Sequence, residues 1–324
     1  MNWPTRRLLL TAPLLLAFAQ PAWTQFYPER VVRIINPFPP GGSVDITARM
    51  LAQKVTENTG GQFIVENRAG AGGNTGADAV AKSDPDGYTL LFTAPGPLVT
   101  NPTLFTNGLP FDPNRDFVPI ALFAHTPIVL MVNPSVPANS VKELIDLAKK
   151  EPGKLNFASQ GVGSTAHLTG ELFKALAKID ITHVPYRGAG PAMNDLVGVH
   201  IQMMFDLLPS ALPQISGGKV RALANAGTKP VATLPNVPMI AEQLPGFDAS
   251  SFVALVAPAK TPAPVLAKLR AEVAKVMSSP DIVKRLAEAG SEPGTAVESE
   301  VRAFLDAETK KWAEVIRLSG AKAD

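Results

Sequence analysis

Apolar positions along this chain follow two patterns, short β-branched runs and longer stretches in which apolar residues return every three or four positions. Val31, Val32, Ile34 and Ile35 form the first run and predict a buried strand. Ile46, Met50, Leu51 and Val55 then fall on one side of a predicted helix. Residues 63–66 and 88–92 predict two more strands, with a helix ending near Lys82 between them. Two further apolar runs, 117–123 and 128–132, are separated only by Ala124-His125-Thr126-Pro127. A second alternation follows. Ser140-Val141-Lys142-Glu143 is a capping box that opens a helix with Leu144, Ile145 and Ala148 inward. Strands are expected at 155–158, 181–184, 201–205 and 220–224, and helices from Ser164 and near 191–196. After an apolar strand at 252–257, the tail from Pro262 onward reads as helical throughout, with Pro280 at the first position of one helix.

Strand–helix alternation is the signature of a parallel sheet with crossover helices, so the fold class expected is α/β. The two alternations predict two domains, each a mainly parallel sheet flanked by helices, joined by hinge strands that cross near residues 124 and 253. Domain 1 would comprise residues 25–124 plus 253–324, and domain 2 residues 125–252. In such sheets ligands gather outside the C-terminal ends of the strands.

Three loops fall on that edge. Residues 36–45, NPFPPGGSVD, stiffen with prolines, turn at Gly41 and Gly42, and reach a helix with Ser43 as the expected N-cap and Asp45 in its first turn. A strand that ends in a Gly-Gly turn and a helix N-terminus can receive an anion. Residues 158–168, ASQGVGSTAHL, repeat that logic with glycines, a hydroxyl cap and a helix. Thr93-Ala94-Pro95-Gly96-Pro97 forms the remaining loop, where two prolines remove backbone donors and suggest an apolar wall.

Composition narrows the function classes. The chain has 324 residues, 46% hydrophobic, with no cysteine, so its core alone must stabilise it. Formal charge is +2 with no basic run, which excludes a nucleic-acid footprint. Arg6 and Arg7 precede an apolar run from Leu8 to Phe18 and a candidate cleavage site at Ala17-Phe18-Ala19, the order of a secretory signal peptide over residues 1–24. Its removal takes the formal charge from +2 to zero.

The glycine-rich stretch 70–76 has Thr75 where a dinucleotide fingerprint needs its third glycine, so no cofactor is expected. His125, His167, His183 and His200 lack metal-ligand spacing, and no metal is expected. Ser164 and His167 would serve a secreted hydrolase, but GVGST is not a nucleophile elbow and no catalytic residue is assigned. Arg187 could clamp a carboxylate; the expectation is that it fixes the turn between its strand and helix.

The segments PFPPGGSVD, ENRAGAGGNTGADAVAKSDPDGYTLLF, ASQGVGSTAHLTGELF and VPYRGAGPAMNDLVG together resemble the Bug family, extracytoplasmic TctC-like receptors of tripartite tricarboxylate transporters. The resemblance runs from about Tyr27 to the C-terminus. It implies a type II-like, two-domain periplasmic binding-protein fold that holds an organic carboxylate (a di- or tricarboxylate, an aromatic acid or a relative of these) between its domains. It also implies membrane permease subunits as partners, a monomeric state and a periplasmic location. A sensor domain would use the same pocket. By motif, the ligand-binding residues implied are Phe38, Gly41, Gly42, Ser43 and Asp45 in the first loop, and Thr93 and Ala94 in the second. Ser159, Gly163, Ser164 and Thr165 follow in the third, with Asp206 at the end of a neighbouring strand.

Overall fold

The computed structural model describes residues 27–323; the expected export signal lies outside them. β1 (Val32–Asn36), β2 (Phe63–Asn67) and β3 (Thr89–Thr93) pair in parallel, with α1 (Ser43–Thr59) and α2 (Asn74–Ala81) as crossovers. A helical turn, Gly96–Thr100, leads into the short α3 (Asn101–Leu104) and α4 (Pro113–Asp116). β4 (Phe117–Val132) then absorbs both predicted apolar runs and the four residues between them into one strand of 16 residues.

The second alternation supplies α5 (Val141–Lys150), β5 (Asn156–Ser159), α6 (Thr165–Ala177), β6 (Thr182–Pro185), α7 (Ala189–Val197), β7 (Met203–Leu207), α8 (Leu208–Ser216) and β8 (Arg221–Asn225). β9 (Ser250–Pro258) returns to the first half, followed by α9 (Ala263–Ser278), α10 (Pro280–Glu288), β10 (Glu292–Thr295) and α11 (Glu298–Ser319). The sheet order is β2-β1-β3-β9-β4-β7-β5-β6, with β8 and β10 also paired to β4.

β4 is the seam. Residues Phe117 to Pro127 pair with β9, and Ile128 to Val132 pair with β7 and β8. The outer strands of each half are parallel and the strands meeting at the seam are antiparallel. On one face of the sheet a single core runs across both halves, from Leu91 and Phe252 to Phe157, Phe173 and Phe205, because α11 packs on α6 and buries Trp312. A fully buried aromatic of this size contributes about 2–3 kcal/mol of hydrophobic stabilisation. On the other face the cores are separate, one under α1 and α9 and one under α7 and α8. There the halves meet where α1 touches α8.

The structure corrects several sequence expectations. Met50, Leu51 and Val55 of α1 are buried as expected, but Ile46 is 39% exposed, and Val44 and Ala48 complete the inward face in its place. The tail is not helical throughout, since β10 pairs antiparallel with β4. Its sequence, EPGT, has no β-branched apolar run to announce a strand, and its pairing rests on backbone groups at the edge of β4. The capping box of α5 forms with a shifted return bond: the Glu143 amide donates to Ser140 Oγ (3.1 Å), while the Asn139 amide donates to Glu143 Oε2 (2.7 Å).

Candidate functional site

The first loop is shaped by buried polar side chains. Asn36 Oδ1 accepts from the Phe38 amide (3.2 Å), and Asn67 Nδ2 donates to the Phe38 carbonyl (3.0 Å). Gly41, at φ +84°, donates its amide to Asp45 Oδ2 (3.0 Å) in a turn that a side chain would strain. Asp45 also accepts from Arg49 (3.0 Å) and Asn67 (2.9 Å). Burial alone would raise its pKa; the bonds from Arg49, Asn67 and Gly41 outweigh that and hold it below the ordinary carboxylate range.

Ser43 is not the N-cap of α1. That place belongs to Gly42, which offers no side-chain cap, so Ser43 Oγ is free to reach across to α8. The first intrahelical bond of α1 runs from Ile46 to Gly42 (3.0 Å), leaving the amides of Ser43, Val44 and Asp45 without an intrahelical acceptor.

Ser164 does cap α6, as its motif predicts. Its Oγ accepts from the His167 amide (3.2 Å) and donates to the Gly161 carbonyl (2.7 Å). The first backbone bond of α6 runs from Leu168 to Ser164 (3.1 Å), so the amides of Thr165 and Ala166 are unclaimed within the helix. A histidine pair supports this loop from behind. His167 Nδ1 accepts from the Gly163 amide (3.3 Å), and His183 Nε2 contacts Ser159 Oγ (2.7 Å). The two rings stack at 4.0 Å, and burial depresses both pKa values, to about 4 for His167 and about 3 for His183. The imidazole of His167 is thus engaged with the Gly163 backbone, while Ser164 Oγ is engaged with the backbones of Gly161 and His167, so these two side chains do not form the nucleophile–base pair that the secreted-hydrolase reading required.

Between the halves lies a cavity of about 50 Å³. Its wall includes Phe38, Gly42, Ser43, Asp45, Ala94, Ser164 and Thr165 among the sequence-predicted residues. Gly41, Thr93, Ser159, Gly163 and Asp206 stand behind that wall: Gly41 bonds Asp45, Thr93 Oγ1 donates to the Ala94 carbonyl (3.1 Å), and Ser159 holds His183. Sequence reasoning missed Pro39, Val44, Gly72, Gly96, Gln160, Gly188, Ala189 and Leu207. Gly188 and Ala189 form the N-terminus of α7, so that helix joins α1 and α6 at the cavity. The signal for it was the glycine pair in YRGAG, which repeats the glycine-then-helix pattern of the other two loops.

A hydrogen-bonded chain that begins and ends in the cavity wall, at Ser43 and Gln160, links the halves. Ser43 Oγ donates to Ser210 Oγ (3.0 Å) and accepts from the Ser210 amide (3.1 Å); Ser210 Oγ lies 2.8 Å from Asp206 Oδ2. Asp206 Oδ1 accepts from the Leu207 amide (2.8 Å) and from Gln160 Nε2. Asp206 is fully buried, and desolvation, only partly offset by these donors, pushes its pKa up to about 6.

Arg187 does not fix its turn. The turn is held by the Tyr186 amide on the Ser159 carbonyl (3.1 Å), the Gly188 amide on the Gln160 carbonyl (3.1 Å) and Tyr186 Oη on Asp195 (2.6 Å). Arg187 is exposed, with no hydrogen bond or ion pair among the described residues, and lines an outer recess of about 570 Å³.

Comparison with known proteins gives this geometry a context. Residues 47–320 match the family model described as tripartite tricarboxylate transporter family receptor. The protein BugT of Bordetella pertussis is 37% identical over 321 residues, covering 98% of each chain. The structure described as R. palustris Rpa4515 with adipate aligns with a TM-score of 0.89 and 35% identity, over 92% of this chain and 99% of that one. MatC from Rhodopseudomonas palustris with bound malate aligns at 0.84 and 32% identity, over 90% of this chain and 100% of that one.

Proposed function

This chain belongs to the tripartite tricarboxylate transporter receptor family, a family of carboxylate-binding solute receptors rather than enzymes, and from that premise we propose that it captures one organic carboxylate between its halves and delivers it to the membrane subunits of such a transporter. The observation that carries this reading is the convergence of three helix N-termini, those of α1, α6 and α7, on one cavity without a basic side chain in its wall. Each N-terminus carries roughly half a positive charge and unclaimed amides. Together they suit a carboxylate better than a cation or a neutral sugar. The bound malate and adipate of MatC and Rpa4515 are acids of this kind.

In this reading residues 25–124 plus 253–324 form one lobe and 125–252 the other, with β4 and β9 as the hinge. The amides of Ser43, Val44, Thr165 and Ala189 hold the ligand's carboxylate, and the Ser43 and Ser164 hydroxyls and Gln160 complete its surroundings. Asp45 shapes the first loop, while Ser159 and Gly163 shape the third. Within the chain Ser43–Ser210–Asp206–Gln160, only the Ser43–Ser210 bonds cross between lobes, so these form on closure and contribute to the closed state, while Ser210, Asp206 and Gln160 are linked inside one lobe. Export with loss of residues 1–24 and action as a periplasmic monomer complete the proposal; no helix among the described residues is long and apolar enough to cross a membrane.

The test is a thermal-shift and calorimetric screen of the mature protein against C4–C8 dicarboxylates, citrate, aromatic acids and acidic amino acids. Binding to the native state raises the melting temperature by mass action, and the recovered acid should be chemically unchanged. No shift with any acid would reject carboxylate capture. Delivery is tested separately, by uptake of the identified acid in cells carrying the cognate permease with and without this receptor. Equal uptake in both would reject it.

A further inference from the structure

We propose that Arg187 selects the far end of the ligand, reading a second anionic group and so committing the receptor to acids that carry a carboxylate at both ends. This rests on the carboxylate reading of the inner cavity and adds to it a residue and a substrate class.

The argument begins with size. A cavity of about 50 Å³ accommodates a carboxylate and its nearest carbons, a space comparable with a few water molecules. The rest of any organic acid must leave it. The outer recess of about 570 Å³ shares Phe38, Pro39, Gly72, Gln160, Ser164 and Gly188 with the inner cavity, so it adjoins that cavity and is the space into which the rest of the acid would extend. Much of that outer recess is proline, glycine, Phe105 and Val162, suited to a hydrocarbon chain or ring.

Arg187 is the charged side chain lining the outer recess, and it has no partner among the described residues. The other charge in the two walls, Asp45, is already paired with Arg49. Tyr186 also lines the recess, but its hydroxyl is committed to Asp195. Arg187 therefore keeps its full donor set for an incoming group, and a guanidinium binds a carboxylate through two parallel bonds.

Closure brings Arg187 to the recess. Its neighbour Gly188 packs so closely on Pro39 of the opposite half that an added Cβ would lie 3.1 Å from Pro39 Cγ. An arginine one residue from that contact is carried to the mouth when the halves meet. The head of the ligand is thus held by neutral backbone groups, and its tail is read by a cation.

Matched ligands test this. Calorimetry would compare α,ω-dicarboxylates of four to eight carbons, and terephthalate, with monocarboxylates of the same skeleton, on the wild type, Arg187→Gln and Arg187→Lys. For the best skeleton the wild type should prefer the diacid by at least about tenfold, the worth of a charged hydrogen-bonded contact. Arg187→Gln should bring the diacid to within about twofold of its monoacid, and Arg187→Lys should recover part of the preference. The preference should also shrink as salt is raised, because Arg187 is exposed. A diacid preference that survives Arg187→Gln, or wild-type protein that binds monoacids equally well, overturns the assignment while leaving carboxylate capture intact. Failure of every acid in both series overturns the carboxylate reading itself, and this inference with it.

Discussion

Asp206→Asn should make the protein more stable at neutral pH, although it removes a buried, hydrogen-bonded carboxylate. The reasoning starts from solvation. Asp206 is fully buried, and its donors (Gln160, Ser210 and the Leu207 amide) do not replace the water it has lost, so its pKa stands at about 6 against 3.8 for an unperturbed aspartate. The sign follows directly. Between these two values the folded protein holds more protons than the unfolded chain, so stability falls as pH rises through the window and levels off above it. The full penalty is about 3 kcal/mol, of which roughly 2 kcal/mol develops between pH 4.5 and 7.5. Asparagine has nearly the same shape, accepts from Gln160 and the Leu207 amide with its oxygen, and donates to Ser210 with its nitrogen, so it keeps the chain and has no charge to bury. Urea denaturation of both proteins without ligand, at half-unit steps across this range, isolates the effect as the difference between two curves, because other titrating groups cancel. The expected difference favours the variant by about 2–3 kcal/mol at pH 7.5 and narrows towards pH 4.5. A variant less stable than wild type at pH 7.5 by an amount that does not change with pH would refute the argument and show the carboxylate to be well solvated by its donors.

Three other perturbations test the remaining parts of the site. Gly42→Asp places a carboxylate at an uncapped helix start, where nothing lies within 4 Å of the added Cβ and φ is −82°; apo stability should rise by a few tenths to 1 kcal/mol, while acid binding should disappear in calorimetry. Retained binding would show that the α1 amides do not hold the ligand. Ser210→Ala removes the Ser43 Oγ–Ser210 Oγ bond and keeps the Ser210 amide on Ser43 Oγ, so acid affinity should fall about fivefold at roughly 1 kcal/mol for the one bond lost, and the saturated protein should scatter X-rays as a more open particle; unchanged affinity would deny the cross-cleft bond any part in closure. His167 and His183 should both titrate below pH 5 in imidazole NMR, since burial lowers their pKa values to about 4 and about 3. A folded-state pKa below the ordinary 6.5 means that their contribution to stability is lost as pH falls below about 6.5, opposite in sign to Asp206, and a titration midpoint near 6.5 for either ring would contradict its burial.

Much of this architecture was legible because it rests on local rules. The β-branched runs, the glycine-ended loops and the Ser164 cap each satisfy a constraint within a few residues, so periodicity and turn chemistry located β1, α1, β5 and α6 to within a residue or two. Hinge strands were suggested by the apolar runs on either side of residues 124–127, and residues 117–127 of β4 lie continuously beside β9. α8 was not visible. It begins at Leu208, carries Pro209 and Pro213, and offers no capping residue, so nothing in its own sequence marks a helix. That omission hid Ser210.

The cap position of α1 departs from the local expectation for a related reason. A serine after two glycines at a helix start satisfies every local criterion for an N-cap, and the expectation is sound as far as local energetics reach. What displaces it is tertiary. With Gly42 at the cap, the helix forgoes a side-chain bond at a cost of a few tenths of a kcal/mol, leaves its first amides open towards the cavity, and frees Ser43 for Ser210, 167 residues away in sequence. A capped helix would be locally more stable, but its amides would be spent on its own side chain. An uncapped helix start beside a cavity is therefore itself a sign of a binding site, because the open amides forgo local stability that a ligand can restore. α7 obeys the same rule with Gly188 at its cap, whereas α6, capped by Ser164, still leaves Thr165 and Ala166 uncommitted. The pattern that separates these starts from ordinary ones is the missing cap, and it can be recognised only after the structure shows which residue occupies the cap position.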